Sequence, residues 1–147
     1  MALIGKILDI DLAAETYKFL PFPEELTRQY LGGRGFNVQF LYRYLPADAD
    51  PLGPENLLLF SCGLLTGTAA PASSRLHINA RSPLTGLMGS SNVGGGFGAQ
   101  LRACGIQSLI FRGTASEPVY LWIADDKVEI RSAKSLWGLD TWRPMST

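Results

Sequence analysis

The chain has 147 residues, of which 46% are hydrophobic and 18% charged, and its thirteen acidic residues balance thirteen basic ones. This composition predicts one globular domain over residues 1–147 and excludes a disordered chain, which would combine low hydrophobicity with high net charge. The charge balance predicts no nucleic-acid partner, and no apolar run approaches the roughly 18 residues of a membrane-spanning helix, so no membrane association is expected.

The first half of the chain predicts a β-hairpin followed by two helices. Alternating polarity predicts strands at Leu3–Leu12 and Tyr17–Phe22. Pro23 is expected to begin a helix, because proline suits the first turn and two glutamates follow it. The glycine-rich segment Gly32–Gly35 then separates this helix from a second one, which ends at Leu45 ahead of a proline.

The second half predicts mostly strands. An apolar run predicts a buried strand, an alternating run predicts another, and a short helix ends at Gly105, a residue type suited to the position after a helix. The expected order is strand Leu57–Ser61, strand Arg75–Arg81, helix Gly95–Cys104, then strands Gln107–Arg112, Val119–Ala124 and Lys127–Arg131, the last two joined at Asp125-Asp126. The complete order predicts an α+β fold with a mixed, largely antiparallel sheet.

The N-terminus and the cysteines predict a cytoplasmic protein. The first residues lack the basic and apolar regions of a secretory signal peptide. Cys62 and Cys104 form no C-x-x-C motif and have no histidine at ligand spacing, so we expect two small buried side chains in a reducing compartment. Two cysteines alone cannot hold a four-cysteine cluster.

Charge is distributed unevenly along the chain. The 61-residue stretch Asn56–Ser116 contains no acidic residue and no lysine. Its formal charges are four arginines: Arg75, Arg81, Arg102 and Arg112. Arginine offers a planar fork of donors to phosphate oxygens, so the stretch indicates an anion site. The alternative is a buried sheet core, where charges are rare; that accounts for the apolar strands but not for the polar, acid-free run Thr66–Ser91.

Two glycine clusters support an anion site. Gly32–Gly35 and Gly94–Gly98 each lie at the start of a predicted helix. Glycine lets backbone N–H groups approach a ligand, and a helix N-terminus favours negative charge. Alternatively, these glycines only turn the chain tightly. Neither cluster fits a dinucleotide-binding or P-loop motif, so a nucleotide site is not indicated.

Few residues of the central stretch can carry out catalysis. His77 is the only histidine and lies in an alternating strand, where a hydrogen-bonded structural role is expected. Without a carboxylate nearby, the glycine- and arginine-rich centre has no evident general base. The residues themselves therefore predict a domain that binds a phosphate-bearing ligand without a complete catalytic set.

Several ordered blocks of the sequence resemble the N-terminal domain of aldehyde ferredoxin oxidoreductases. The resemblance covers about residues 3–141, with Leu64 departing from the proline that is common in the family. The blocks are Tyr30–Gly35, Pro51–Asn56, Leu65–Thr68, Ala70-Pro71, Ser82–Gly86, Asn92–Gly98, Pro118–Ile123, Lys127–Arg131 and Leu136–Gly138.

The resemblance implies a cofactor and positions for it. Such enzymes oxidise aldehydes to carboxylic acids with ferredoxin as electron acceptor, and hold tungsten or molybdenum between two pterins, with a bridging magnesium ion and a nearby [4Fe-4S] cluster. Their N-terminal domain forms the base on which the pterins rest. By this resemblance Arg75 lies between pterin and cluster, and Asn92 gives magnesium an oxygen, its backbone carbonyl. The other cofactor-facing positions are Gly33, Arg34, Gly94, Gly95 and Gly96.

The resemblance also implies that the chain acts with further parts. Family members have several hundred residues, and the cluster cysteines, the acid/base residues and a second magnesium contact are expected outside these 147 residues. The isolated chain is then expected to be inactive and to need C-terminal domains or a partner subunit. The alternative interpretation is a non-enzymatic scaffold that keeps the fold without cofactor; a homo-oligomer is expected in either case.

Overall fold

The computed structural model describes residues 5–140, which form one six-stranded sheet, a separate two-stranded hairpin and three helices. The strands are β1 Lys6–Asp11, β2 Thr16–Pro21, β3 Leu58–Cys62, β4 Leu76–Arg81, β5 Met88–Val93, β6 Ile106–Arg112, β7 Val119–Ala124 and β8 Lys127–Ser132. The helices are α1 Glu24–Tyr30, α2 Gly33–Tyr44 and α3 Phe97–Ala103.

The large sheet has the strand order β2-β1-β6-β3-β4-β5, and β7 pairs with β8 apart from it. Strands β1 and β6 run parallel, and every other pairing in the described chain is antiparallel. The predicted α+β class with a mixed, largely antiparallel sheet is therefore confirmed. The central strand β6 is buried from Ile106 to Ile110, as a strand covered on both faces should be.

Each face of the sheet has its own apolar core. On one face α2 packs through Phe36, whose ring lies 4.5 Å from that of Phe22, together with Leu59 and Ile110. On the other face α3 and the β7–β8 hairpin cover residues such as Leu8, Leu76 and Leu109. Complete burial of one such side chain is worth about 1.5–3 kcal/mol, so the two layers fix α2 and α3 on opposite faces.

Most predicted elements agree with the structure within two residues at each end. Gly105 follows the C-cap residue of α3 with φ 74°, and Asp125 turns the β7–β8 hairpin with φ 54°. The predicted order was wrong in one respect, because it omitted β5, which pairs with β4 along its whole length. Leu3, where the first strand was expected to begin, lies outside the described residues, as does Trp142.

Between residues 5 and 140, no helix has the length and apolar character needed to cross a membrane.

Candidate functional site

Strands β4 and β5 bring three of the relevant polar residues to one face of the sheet. His77 pairs directly with Asn92, and the Asn92 side chain forms a hydrogen bond with the imidazole. Arg75 lies two residues before His77, immediately before β4 begins at Leu76. Residues two apart on a strand share a face, and so do directly paired residues. Arg75, His77 and Asn92 therefore point towards the side of the sheet that α2 covers.

The N-terminus of α2 reaches the same place through an unusual backbone turn. Leu31, Gly32 and Gly33 have consecutive φ values of 57°, 77° and 54°, in the left-handed region. A Cβ atom at Gly33 would lie 3.1 Å from Cδ2 of His77, and one at Gly32 would lie 2.8 Å from the backbone oxygen of Cys62. A side chain at Gly32 would clash with the backbone of β3 and one at Gly33 would press on the His77 ring, so their absence lets the first turn of α2 lie directly against β3 and β4.

This approach places Arg34 beside the imidazole. The pKa of His77 is lowered from 6.5, first by burial and then by the positive charges of Arg34 and Arg75, while the hydrogen bond with Asn92 opposes the shift. Two residues from distant segments thus give the same imidazole a positive surrounding. No carboxylate is among the groups that shift this pKa, and α2, β4 and β5 contain no acidic residue. Such a surrounding favours an anion.

A cleft of about 620 Å³ opens beside part of this group of residues, at Arg75 and His77. Arg75 and His77 lie on its wall, together with Leu31 from the turn before α2 and residues of the loop that joins β3 to β4, such as Thr66 and Ser73. The Thr66 hydroxyl donates to the backbone oxygen of Arg75 at 3.3 Å, which ties the two ends of this loop together. The cleft is large enough for part of a cofactor-sized ligand.

The structure does not bring Gly94, Gly95 and Gly96 into contact with the arginines. They follow Val93, which pairs with Leu76 beside Arg75, so they begin at the same end of the sheet. All three are exposed, and no atom outside the neighbouring chain lies within 4 Å of the position of an added Cβ. The helix that follows them packs on the other face, where Gly98 meets Leu76 and Thr66. Their role in a site shared with Arg75 stays a prediction.

His77 is the site residue that sequence reasoning missed. It was expected to be a hydrogen-bonded structural histidine, and the structure places it beside Arg34, Arg75 and Asn92, which makes it a candidate site residue as well. The alternation of β4 and β5 would have put it on the face of Asn92, but β5 was not predicted. Its Nδ1 atom is buried and has no hydrogen-bond partner in the described structure.

Comparison with known proteins identifies the family of the chain. The model of the family "Aldehyde ferredoxin oxidoreductase, N-terminal domain" matches residues 7–146. The chain belongs to this family.

Its relatives and structural neighbours are much longer than it is. It is 46% identical over 134 residues to the tungsten-containing aldehyde ferredoxin oxidoreductase of Pyrococcus abyssi, a match that covers 91% of this chain and 22% of that protein. It is 38% identical to the aliphatic sulfonate oxidoreductase, WOR-like subunit, of Pyrococcus furiosus, with 92% and 22% covered. The chain thus spans about 22% of these curated relatives.

A solved structure gives the same result. The active-site complex BamBC of benzoyl coenzyme A reductase, bound to 1,5-dienoyl-CoA, contains a chain that superposes with a TM-score of 0.94 at 39% identity. The superposition covers 97% of this chain and 22% of that one. The chain therefore has the N-terminal fold of aldehyde ferredoxin oxidoreductases, as the sequence resemblance predicted.

The cysteines of this family member do not form a metal site in the described structure. Cys62 is fully buried, and its thiol donates to the backbone oxygen of Gly98 at 3.5 Å. Burial raises the pKa of Cys62 to about 12, against the opposing charge of Arg102. Within residues 5–140, no group of three or more His, Cys, Asp and Glu side chains is arranged to hold a metal ion.

Proposed function

We propose that this chain is the pterin-binding base of a cytoplasmic oxidoreductase that converts aldehydes to carboxylic acids, with ferredoxin as electron acceptor. The observation that carries the proposal is the convergence of Arg34, Arg75, His77 and Asn92 beside Gly33, where the elements α2, β4 and β5 contain no acidic residue. Tungsten is favoured over molybdenum because several relatives are named as tungsten-containing. The two unpaired cysteines agree with the reducing cytoplasm.

The residues at the site fit a bis-pterin cofactor with phosphate groups. Arg34 and Arg75 supply guanidinium donors, which suit phosphate oxygens, and His77 and Asn92 add polar atoms beside them. Buried polar atoms normally have partners, so the unpaired Nδ1 of His77 marks a place where a further polar group is accommodated. Described side chains provide no metal cage, which agrees with a metal held by the pterins rather than by this chain.

Each residue has a distinct part in this proposal. Arg75, on the wall of the cleft, would donate to the pterin, and Arg34, in the first turn of α2, would bind phosphate. Asn92 would hold His77 through its side chain and offer its backbone oxygen to magnesium. The exposed backbone of Gly94–Gly96 faces the cofactor. When bound, the tungsten bis-pterin centre supplies the two-electron oxidation of the aldehyde.

The [4Fe-4S] cluster needs ligands from outside these residues. A cluster of this type takes four cysteine thiolates, and the chain has two cysteines, of which Cys62 is buried with a raised pKa. We therefore expect the purified 147-residue chain to reduce neither ferredoxin nor viologen in the presence of aldehyde. Aldehyde-dependent reduction of ferredoxin or viologen by that chain would contradict the proposal that the cluster ligands lie outside these residues.

Metal analysis of the protein isolated from its native host tests the proposal directly. We expect tungsten or molybdenum at about one atom per chain, together with released pterin. A metal-free protein would instead support the alternative of a scaffold that keeps the fold without cofactor. Arg75→Ala should lower the metal content, whereas Arg43→Ala, an exposed arginine in the last turn of α2, should leave it unchanged.

A further inference from the structure

Five buried or strand-bound groups form a continuous chain of hydrogen bonds under the candidate site. The Ser108 and Ser61 hydroxyls lie 2.6 Å apart, and the Ser61 hydroxyl donates to Oδ1 of Asn37 at 2.5 Å. Nδ2 of Asn37 donates to Oδ1 of Asn79 at 2.8 Å, and Nδ2 of Asn79 donates to the backbone oxygen of Gly89 at 3.0 Å. The four side chains belong to residues that are at most 1% exposed.

The direction of every bond in this chain is fixed. The carbonyl of Gly89 can only accept, so Asn79 must present its amide nitrogen to it and its oxygen to Asn37. Asn37 must then present its nitrogen to Asn79 and its oxygen to Ser61. The Ser61 proton is used for that bond, so the Ser108 hydroxyl donates to Ser61. Hydrogen bonds aligned in this way strengthen one another.

Asn37 is the point where this chain meets the candidate site. It lies one helical turn after Gly33, and its Nδ2 also donates to the backbone oxygen of His77 at 3.2 Å. One side chain therefore holds the first turn of α2, the strand of His77 and, through Asn79, the strand of Asn92. Apolar packing by Phe36 and Leu41 already secures α2 on the sheet, so a buried amide is not needed for burial alone.

We propose that Asn37 is a positioning residue of the cofactor site, which sets the register of the Arg34 segment over the Arg75–His77 segment. Two packed surfaces can slide by small distances at little cost, but an amide with three aligned partners has one arrangement in which all are satisfied. The inference rests on the proposed function for the ligand, a phosphate-bearing cofactor. The placement of Gly33 against His77 is independent of that ligand.

The lone histidine makes the placement measurable by NMR. In the wild-type chain we expect a nuclear Overhauser effect between Hδ2 of His77 and the α protons of Gly33, since a Cβ at Gly33 would be 3.1 Å from Cδ2. Asn37→Leu should weaken or abolish this effect. It should also weaken the binding of pyrophosphate, the probe for the cofactor phosphates, by about tenfold or more, as loss of a supporting partner commonly does.

Ser108→Ala is the matched control. It removes a buried hydroxyl from the same chain, at the end distant from the site, and leaves the three bonds of Asn37 intact. We expect the control to keep the Gly33–His77 effect and the wild-type pyrophosphate affinity. If the two variants change both readouts equally, or if Asn37→Leu changes neither, Asn37 has only a structural role and the proposal is wrong.

Two further outcomes remain informative. If Asn37→Leu does not fold, Asn37→Ser serves instead, because its hydroxyl can pair with Ser61 while both donations to β4 are lost; the same expectations and the same contrary results apply. If the wild-type chain binds no pyrophosphate, the proposed function fails at this site, and the Gly33–His77 effect alone decides whether Asn37 sets the register.

Discussion

Gly33 is the residue at which backbone conformation and the candidate site meet. Its φ of 54° lies in the left-handed region, and the space beside it is occupied by the His77 ring. Both features come from the turn that brings Arg34 to the imidazole. The glycine cluster was predicted as a ligand-facing backbone, and the structure shows that at Gly33 the missing side chain first of all admits a neighbouring residue.

Gly33→Ala should therefore destabilise the protein. A left-handed conformation costs an L-residue about 1–2 kcal/mol, and the added methyl group would press on the His77 ring at 3.1 Å. We expect the free energy of unfolding in urea to fall by about 1–3 kcal/mol in total. Gly94→Ala is the control, since its Cβ would meet nothing within 4 Å and its φ is not positive. Equal losses for the two variants would contradict this account.

His77 gives the stability of the protein a pH dependence of known sign. Its pKa is below 6.5 in the folded state because of burial and the charges of Arg34 and Arg75. As pH falls through 6.5, the unfolded chain takes up a proton that the folded chain does not, so the folded state loses stability between pH 6.5 and the lowered pKa. We expect the single imidazole to titrate by NMR with a midpoint below 6.5, and His77→Asn to flatten the slope of stability in that interval. A midpoint at or above 6.5 would contradict the prediction.

Sequence reasoning named the arginines of the candidate site but not its histidine, for a physical reason. Arg75 and Arg34 were identified from the acid-free stretch, the glycine cluster and the family resemblance, none of which needs a three-dimensional contact. The role of His77 depends on Arg34, which approaches only because the chain turns through Leu31, Gly32 and Gly33. The residue type of Leu31 does not indicate a left-handed backbone conformation, so the approach of Arg34 to His77 could not be predicted.

Among the secondary-structure elements, β5 is a strand that the local sequence pattern did not predict. Its sequence, Met88–Val93, has two serines, a glycine and an asparagine, and five of its six residues are exposed. Strands are predicted from alternating or apolar runs, and β5 has neither because in the described chain it pairs only with β4. By contrast, β6 and the β7–β8 hairpin, with an apolar run and a tight turn, were predicted closely.

The sequence pattern also did not predict that β1 and β6 pair in parallel. One ion pair joins these two strands. Asp9 on β1 is 6% exposed, and its Oδ1 accepts from Nε of Arg112 on β6 at 2.8 Å. Lys18 lies farther from the same carboxylate, at 3.7 Å. Arg112 also lies over the ring of Phe40, with 5.7 Å between the guanidinium carbon and the ring centroid. The last arginine of the acid-free stretch thus pairs with a carboxylate of the fold.

Arg112→Met should lower the free energy of unfolding by about 1–3 kcal/mol, because a buried charged group loses its nearest partner. The thioether keeps much of the contact with Phe40, so the loss reports mainly on the carboxylate. Arg28→Met is the control, since Arg28 and Glu24 form an exposed pair on α1 that should contribute about 0.5 kcal/mol or less. Urea unfolding of both variants measures the difference, and a similar small change in each would show that Asp9 is satisfied without Arg112.

At the scale of the whole molecule, residues 5–140 leave apolar surface uncovered beside the edge of β5 that pairs with no strand among them. A groove of about 390 Å³ runs between the C-terminal half of α2 and the turn before β5. Tyr42 is 87% exposed there, Leu87 72%, and the neighbouring Leu84 91%. Arg81 lines the groove. Its guanidinium donates to the backbone oxygens of Ala47 and Gly86, so the group already has hydrogen-bond partners. In relatives that are more than four times longer, further polypeptide is available to cover such a surface.

We predict that the isolated chain associates with itself through this surface. Contiguous apolar patches larger than a few hundred Å² are rare on monomers, and the edge of β5 that no described strand pairs with offers backbone groups to a second copy. Light scattering at several concentrations should give a fixed multiple of 16.0 kDa. Leu87→Glu should lower the measured mass, because it places a charge in the contact, whereas Leu52→Glu, at an 81% exposed leucine outside the groove, should not. A mass near 16.0 kDa at every concentration would rule out self-association, and a mass that neither variant changes would place the contact elsewhere on the molecule.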